Sequence, residues 1–282
     1  MKEFKVAVIG AGLMGGGIAQ ACAQAGYEVV NVDLYEPALE KAKKNIESLF
    51  DKKILKGKMT EEEKEEILSN LTYSNNLESI KGAKIVIEAV PEKMEIKKDI
   101  FIKIDAIADT DAIFVSNTSG LSISEMAAIT KSPDKFMGVH FFYPAPVMKL
   151  VELIRGIATL DETYEKVKAF AIDINKEVVD CPELPGFIVN RILVPMMNEA
   201  AFLVMEGCKP EDVDSAMKLG ANHPMGPLEL CDFVGIDVMV ATMNGLYNGF
   251  HDSKYRPCPI LENMVKGGKL GKKSGEGFYK YN

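Results

Sequence analysis

The stretch Val6-Ala7-Val8-Ile9-Gly10-Ala11-Gly12-Leu13-Met14-Gly15 joins an apolar run of strand length to a glycine-rich turn. A helical pattern follows over Gly15–Ala25, and a second apolar run, Val29–Asp33, ends on an acidic residue. A strand, a GxGxxG turn, a helix and a strand with a terminal acid together are typical of a dinucleotide-binding βαβ unit. The stretch therefore predicts a Rossmann-like domain.

Each glycine of the turn has a physical task in such a unit. Gly10 makes the tight turn, Gly12 lets the backbone approach a pyrophosphate, and Gly15 allows the helix to pack closely on the strand. The helix N-terminus offers N–H groups and a positive dipole to the phosphates.

The acid that ends the second strand indicates which dinucleotide binds. Asp33 can accept hydrogen bonds from both hydroxyls of a ribose, and its charge would repel a 2′-phosphate. Leu34 and Tyr35 follow it, with no arginine to hold that phosphate. We therefore expect NAD(H) rather than NADP(H).

Strand and helix patterns alternate up to residue 184, which predicts a doubly wound, mostly parallel sheet of the α/β class. The further strand candidates are Lys84–Val90, Ala112–Val115, Met137–Phe142, Leu150–Ile154 and Glu177–Asp180. The further helix candidates are Pro37–Leu55, Lys93–Ala108 and Asp161–Asn175. The strands Met137–Phe142 and Leu150–Ile154 have no helix between them, so the parallel order can change there.

A second domain follows the proline- and glycine-rich segment Cys181–Gly186, where strand patterns nearly end. We predict domains 1–184 and 185–282, the second all-helical. Its helix candidates are Phe187–Glu206, Glu211–Leu219, Leu228–Leu246 and Ile260–Val265. Because Phe187–Glu206 is too apolar to face water, we expect it to be buried, and the helical domain to form a homodimer.

Composition excludes several classes of function. The net charge of −8 disfavours nucleic acid as a partner. Neither an apolar run of about 18 residues nor a signal-peptide pattern is present, so we expect no membrane span and a cytoplasmic location. Five scattered cysteines and three histidines lack metal-ligand spacing, and we predict no metal. Seven lysines crowd one segment, as a solvated helix face or a polyphosphate site: Lys41, Lys43, Lys44, Lys52, Lys53, Lys56 and Lys58.

His140 lies near the carboxyl end of a predicted strand, which is the edge where ligands bind in open α/β sheets. Glu152 interrupts the next apolar run, and a carboxylate there needs a partner to offset its desolvation. A pair between them would raise the basicity of the imidazole. The residues alone leave two interpretations open, a catalytic histidine and a core histidine with satisfied hydrogen bonds.

Six motifs occur in an order that resembles the L-3-hydroxyacyl-CoA dehydrogenase family, over essentially the whole chain. They are Gly10–Gly15, Ser116–Ser119, Val139–Phe142, Leu150–Glu152, Pro185–Arg191 and Gly271–Tyr279. The resemblance is to the short-chain bacterial members. It implies reversible hydride transfer between NAD(H) and the 3-hydroxyl or 3-keto group of 3-hydroxybutyryl-CoA or acetoacetyl-CoA.

The resemblance also implies roles for single residues. His140 would be the acid/base and Glu152 its partner, while Ser119 and Asn190 would hold the oxygen of the substrate. Lys56 lies in the segment that faces the CoA in relatives. The residues expected at the cofactor are Gly10, Gly12, Leu13, Met14, Gly15, Asp33, Glu92, Lys97, Asn117, Ser119 and Lys273. Tyr143 departs from the pattern, since relatives often have asparagine there, which puts a nicotinamide contact at this position in doubt.

Two rival interpretations remain. Another two-domain β-hydroxyacid dehydrogenase, of the 6-phosphogluconate type, would use a lysine on the long helix of the second domain. Phe187–Glu206 has Arg191 and no lysine. A non-catalytic relative would be favoured by loss of His140, Glu152 or Asn190, and all three are present.

Overall fold

The chain divides into two units between Glu183 and Leu184. The first unit is built on a single mixed sheet of eight strands. The structure is a computed structural model and describes residue 2 and residues 4–281. The outermost residues of the two predicted domains, Met1 and Asn282, lie outside the described residues. The division falls one residue before the predicted boundary after residue 184.

The elements of the first unit alternate much as the sequence predicts. The strands are β1 (Lys5–Ile9), β2 (Glu28–Val32), β3 (Leu71–Ser74), β4 (Ala83–Glu88), β5 (Ile113–Ser116), β6 (Phe136–Phe141), β7 (Leu150–Arg155) and β8 (Glu177–Cys181). The helices are α1 (Leu13–Gln24), α2 (Glu36–Leu55), α3 (Glu61–Ser69), α4 (Met94–Asp105), α5 (Ile123–Ala127) and α6 (Asp161–Asp173). Both α3 and β3 are additions to the prediction.

The strand order is β3-β2-β1-β4-β5-β6-β7-β8. Strands β1 to β6 are parallel, β7 is antiparallel to β6, and β8 is parallel to β7. The expected doubly wound, mostly parallel sheet is confirmed, and so is a change of direction between the sixth and seventh strands. The order reverses between β1 and β4, and ligands of open α/β sheets bind outside the carboxyl ends of the strands at such a point.

Apolar strands buried on both faces explain why the sheet is covered by helices. Val6 and Val8 of β1 are fully buried and join a core that includes Ile18 and Cys22 of α1. The carboxyl ends of the strands are thereby held at fixed positions, and the loops that follow them can carry polar side chains.

The second unit is helical, and among its described residues the only β-pairing is a pair of isolated bridges at Glu276. Its helices are α7 (Val189–Met205), α8 (Pro210–Gly220), α9 (Pro227–Val234), α10 (Ile236–Phe250) and α11 (Pro259–Lys266). Their buried residues, among them Met197, Leu228, Met239 and Leu261, form a separate core.

The prediction of one helix over Leu228–Leu246 is wrong. The chain breaks at Gly235, whose φ of 104° lies where L side chains rarely fit, and the two helices meet at a bend of 98°. Within the described part, no single helix is long and apolar enough to cross a membrane. Only the bent pair α9 and α10, taken together, reaches the required length and composition.

Within a single chain, helix α7 is buried along one face only, so burial of its other face against a second subunit stays a prediction. Val194, Met197 and Ala201 are buried, whereas Ile192 is 68% exposed and Met205 is 48% exposed. In a single chain this helix therefore presents apolar side chains to water.

Candidate active site

The glycine loop packs tightly against its neighbours except where a ligand would lie. A Cβ on Gly10 would stand 2.5 Å from the carbonyl oxygen of Ala89, and one on Gly15 would stand 2.0 Å from that of Gly10. A Cβ on Gly12 would meet no protein atom within 4 Å. Gly12 also caps the N-terminus of α1, so a side chain there would fill the space in which a pyrophosphate can approach the backbone.

A cavity of about 620 Å³ opens at the point where the strand order reverses. It is lined by the loops after β1, β4 and β5, by the first residues after β2, by Leu77 and by one side of helix α4. The predicted cofactor residues along it are Gly10, Gly12, Leu13, Met14, Asp33, Glu92, Asn117 and Ser119. Its volume, position and lining fit a dinucleotide.

Asp33 is held in place by the backbone of its own neighbourhood. One carboxylate oxygen accepts a hydrogen bond from the Ala11 N–H at 2.8 Å, and the other accepts one from the Tyr35 N–H at 2.9 Å. A carboxylate has about four acceptor positions, so both oxygens retain capacity for ribose hydroxyls. The first of these bonds also ties the end of β2 to the glycine loop.

His140 and Glu152 are register partners on the antiparallel strands β6 and β7. Directly opposed residues of such a pair project to the same face of the sheet. The Nδ1 atom of His140 lies 2.6 Å from a carboxylate oxygen of Glu152, and both residues are buried. Because Glu152 engages Nδ1, proton exchange with a substrate would take place at Nε2.

Asn117 connects this pair to the cavity. Its side-chain oxygen accepts a hydrogen bond from the N–H of Phe141 at 2.9 Å, and the residue itself lines the cavity. Phe141 follows His140 directly in β6. The His140–Glu152 pair and the cavity thus belong to one region of the sheet edge in the first unit.

A buried lysine, Lys176, is hydrogen-bonded to the connection between β6 and β7. Lys176 donates hydrogen bonds to the carbonyl oxygens of Ala145 and Met148, at 2.6 and 2.9 Å. Burial lowers the pKa of Lys176 below its ordinary range. Tyr143, at the departure from the family pattern, lies in the same connection and is 52% exposed.

The remaining predicted residues take varied positions. Lys97 is 1% exposed and bonds to Glu88 and Glu92, so it lies beneath the cavity rather than along its wall. Ser119 is half-buried at the cavity, and Lys56 is exposed at the end of α2. Asn190 lies in the first turn of α7, and Lys273 bonds to Asp237, both in the second unit.

Sequence reasoning missed one buried acid of this region, Glu88. It is the last residue of β4 and is fully buried, at the same sheet edge as Glu92 and Asn117. A carboxylate directly after the apolar run Ile85–Ile87 was the available signal. Among the described residues no group of three or more histidine, cysteine or acidic side chains is placed to hold a metal.

Two family models together match nearly the whole chain. The NAD binding domain of 3-hydroxyacyl-CoA dehydrogenase matches residues 5–184, and the C-terminal domain of the same family matches residues 186–281. The chain belongs to the 3-hydroxyacyl-CoA dehydrogenase family. Its first unit is therefore an NAD-binding domain. The two matches also favour this family over a 6-phosphogluconate-type enzyme.

Other members of the 3-hydroxyacyl-CoA dehydrogenase family are similar over their full length. A probable 3-hydroxybutyryl-CoA dehydrogenase of Bacillus subtilis is 48% identical, covering 100% of this chain and 98% of its own. The 3-hydroxybutyryl-CoA dehydrogenase of Clostridioides difficile is 47% identical, covering 99% and 100%. The crystal structure of (S)-3-hydroxybutyryl-CoA dehydrogenase from Ralstonia eutropha superimposes with a TM-score of 0.95 at 46% identity, covering 99% of both chains.

Proposed function

We propose that this chain catalyses reversible hydride transfer between NAD(H) and the 3-hydroxyl or 3-keto group of a short acyl-CoA, with 3-hydroxybutyryl-CoA and acetoacetyl-CoA as substrates. The observation that carries the proposal is the buried His140–Glu152 pair, linked through Asn117 to a dinucleotide-sized cavity. The names of the similar dehydrogenases support the four-carbon substrate.

The acid/base work falls to His140. In oxidation its Nε2 accepts the proton of the 3-hydroxyl, and the carboxylate of Glu152 stabilises the imidazolium that forms. In reduction the same imidazolium returns the proton to the oxygen on C3. The hydride chemistry at C3 is supplied by the nicotinamide of the bound cofactor.

Two further side chains are assigned to the oxygen of the substrate. Ser119 and Asn190 would each donate a hydrogen bond to it as negative charge develops during reduction. One well-placed donor of this kind contributes about 2–4 kcal/mol to the transition state. Lys56 and the other exposed lysines of the α2 region are assigned to the phosphates of the CoA, since they offer positive charge on an otherwise acidic protein.

The direct assay is the absorbance change at 340 nm with acetoacetyl-CoA and NADH. We expect oxidation of NADH that depends on both the acyl-CoA and the enzyme. Absence of turnover with this pair, at saturating concentrations of each, would contradict the proposed reaction.

We predict that NADH is preferred to NADPH, because a 2′-phosphate would lie against the oriented carboxylate of Asp33. The expected ratio of kcat/KM values is at least about tenfold, since like charges in contact are costly. Asp33→Ala should narrow that ratio, mainly because NADH would bind more weakly. An equal or higher kcat/KM with NADPH for the unmodified enzyme would be incompatible with this role of Asp33.

We predict a homodimer that forms through the helical unit, because its surface carries exposed apolar side chains. Among them are Ile192, Leu219 and Phe233, which are 68%, 88% and 51% exposed, and such groups favour an interface over water. Light scattering should give twice the 31.0 kDa of one chain. Ile192→Glu should weaken the dimer, and Lys166→Glu, at an exposed position of α6, is the control. A monomer at micromolar concentration would refute the prediction.

A cytoplasmic location remains a prediction from the sequence. It is supported by the similarity to bacterial dehydrogenases that act on acyl-CoA.

A further inference from the structure

Glu88 is a fully buried carboxylate for which the proposed reaction provides no task. One of its oxygens accepts hydrogen bonds from the Val90 N–H and from the ammonium group of Lys97, both at 2.7 Å. The other accepts one from the hydroxyl of Ser116 at 2.6 Å. A buried ion pair seldom stabilises a fold more than apolar side chains of similar volume would. The pair therefore calls for an explanation other than stability.

The contacts of Lys97 lead from Glu88 to the cavity wall. Its ammonium nitrogen lies 3.1 Å from a carboxylate oxygen of Glu92, so one buried cation joins two acids. The other oxygen of Glu92 accepts hydrogen bonds from the Thr118 hydroxyl at 2.5 Å and from the Ser119 N–H at 2.8 Å. Glu88 is thus connected to the backbone of Ser119 by three successive contacts, through Lys97 and Glu92, of 2.7, 3.1 and 2.8 Å.

A second branch reaches the same turn through the sheet. Ser116 is the register partner of Glu88 on the neighbouring strand, and its hydroxyl oxygen accepts a hydrogen bond from the Thr118 N–H at 3.3 Å. The hydroxyl of Thr118 in turn accepts from the N–H of Leu121 at 2.9 Å. Both branches therefore converge on the turn that carries Ser119.

We propose that Glu88 is a positioning residue that sets the orientation of Ser119, acting through Lys97 and Glu92 on one branch and through Ser116 on the other. The inference rests on the proposed function, in which Ser119 holds the oxygen of the substrate. Because Lys97 is buried, its role in this proposal is to hold Glu92 in place and not to contact a ligand.

The kinetic test is Glu88→Gln in two backgrounds. Glutamine keeps one acceptor oxygen and carries no charge, so it cannot both balance the Lys97 ammonium with the Val90 N–H on one side and accept from the Ser116 hydroxyl on the other. The position of Lys97 should therefore be less firmly fixed. We expect kcat/KM for acetoacetyl-CoA to fall about tenfold in the otherwise unchanged enzyme, and by less than about twofold in a Ser119→Ala background. The same loss in both backgrounds, or none in the first, would overturn the proposal.

A structural control separates positioning from folding. In Glu88→Gln/Lys97→Met both charges of the buried pair are removed, so the Lys97 ammonium no longer lies buried beside an uncharged residue, and Tm should recover relative to Glu88→Gln. The kinetic loss should persist, because Glu92 still lacks its cation. Recovery of kcat/KM together with Tm would overturn the proposal. Asp111→Asn, which breaks the exposed Lys84–Asp111 pair, is the matched control and should change neither.

Hydrogen–deuterium exchange gives a result that does not depend on the substrate. In Glu88→Gln the amides of residues 117–122 should exchange about tenfold faster, while those of β7 should not change. Unchanged exchange at 117–122 would overturn the inference. An unmodified enzyme inactive on acetoacetyl-CoA would instead overturn the proposed function, and the exchange measurement would still decide whether Glu88 orders this turn.

Discussion

His140→Asn is expected to lower kcat for acetoacetyl-CoA reduction by about 10²–10⁴-fold. The asparagine side chain can still place an N–H against Glu152, where Nδ1 lies now at 2.6 Å, but it has no atom in the position of Nε2. The buried carboxylate thus keeps a partner while the group proposed to exchange the proton is removed. The loss should therefore reflect chemistry rather than unfolding.

The binding of NADH provides the internal control for this variant. The predicted cofactor contacts lie on the glycine loop and Asp33, so the Kd of NADH, measured by fluorescence titration, should stay within about threefold. His251→Asn, on an exposed histidine, should leave kcat unchanged. A His140→Asn enzyme with full kcat would show that another group carries the proton.

Glu152→Gln is expected to lower kcat for acetoacetyl-CoA reduction by about 10²-fold, because the imidazolium that donates the proton would lose the charge that stabilises it. The glutamine oxygen can still accept from Nδ1, so the orientation of the ring should survive. Removal of one charge from a fully buried position relieves desolvation, and Tm should not fall sharply.

The matched control for Glu152→Gln is Glu177→Gln at the start of the neighbouring strand β8. Glu177 pairs in register with Leu150, and its side chain is 75% exposed. Its replacement should leave both kcat and the Kd of NADH unaltered. If Glu152→Gln behaves like this control, the carboxylate has no part in proton transfer.

Much of the first unit could be predicted because local pattern and tertiary structure agree there. The glycine loop and Asp33 predict the βαβ unit, and in the structure they line one cavity. The desolvation cost of Glu152 within an apolar run likewise indicated that it needs a partner, with His140 as the candidate. The antiparallel register of β6 and β7 makes them direct partners.

The failures have physical reasons. The break between α9 and α10 depends on Gly235, which looks tolerable inside an apolar helical run but takes a φ of 104°. The strand β3 is an edge strand of four residues with mixed burial, too short and too polar to give a period-two pattern. The role proposed for Glu88 depends on contacts with residues 9 and 28 positions away along the chain. A local sequence pattern does not reveal such contacts.

The central claim is that His140 and Glu152 act as one acid/base unit on a 3-ketoacyl-CoA, and a double-mutant cycle on acetoacetyl-CoA reduction with NADH tests it most directly. Groups that act as one unit are not additive, so His140→Asn/Glu152→Gln should have a kcat within about threefold of His140→Asn alone. Losses that multiply in the double variant, or an unmodified enzyme that does not oxidise NADH with acetoacetyl-CoA, would contradict the account.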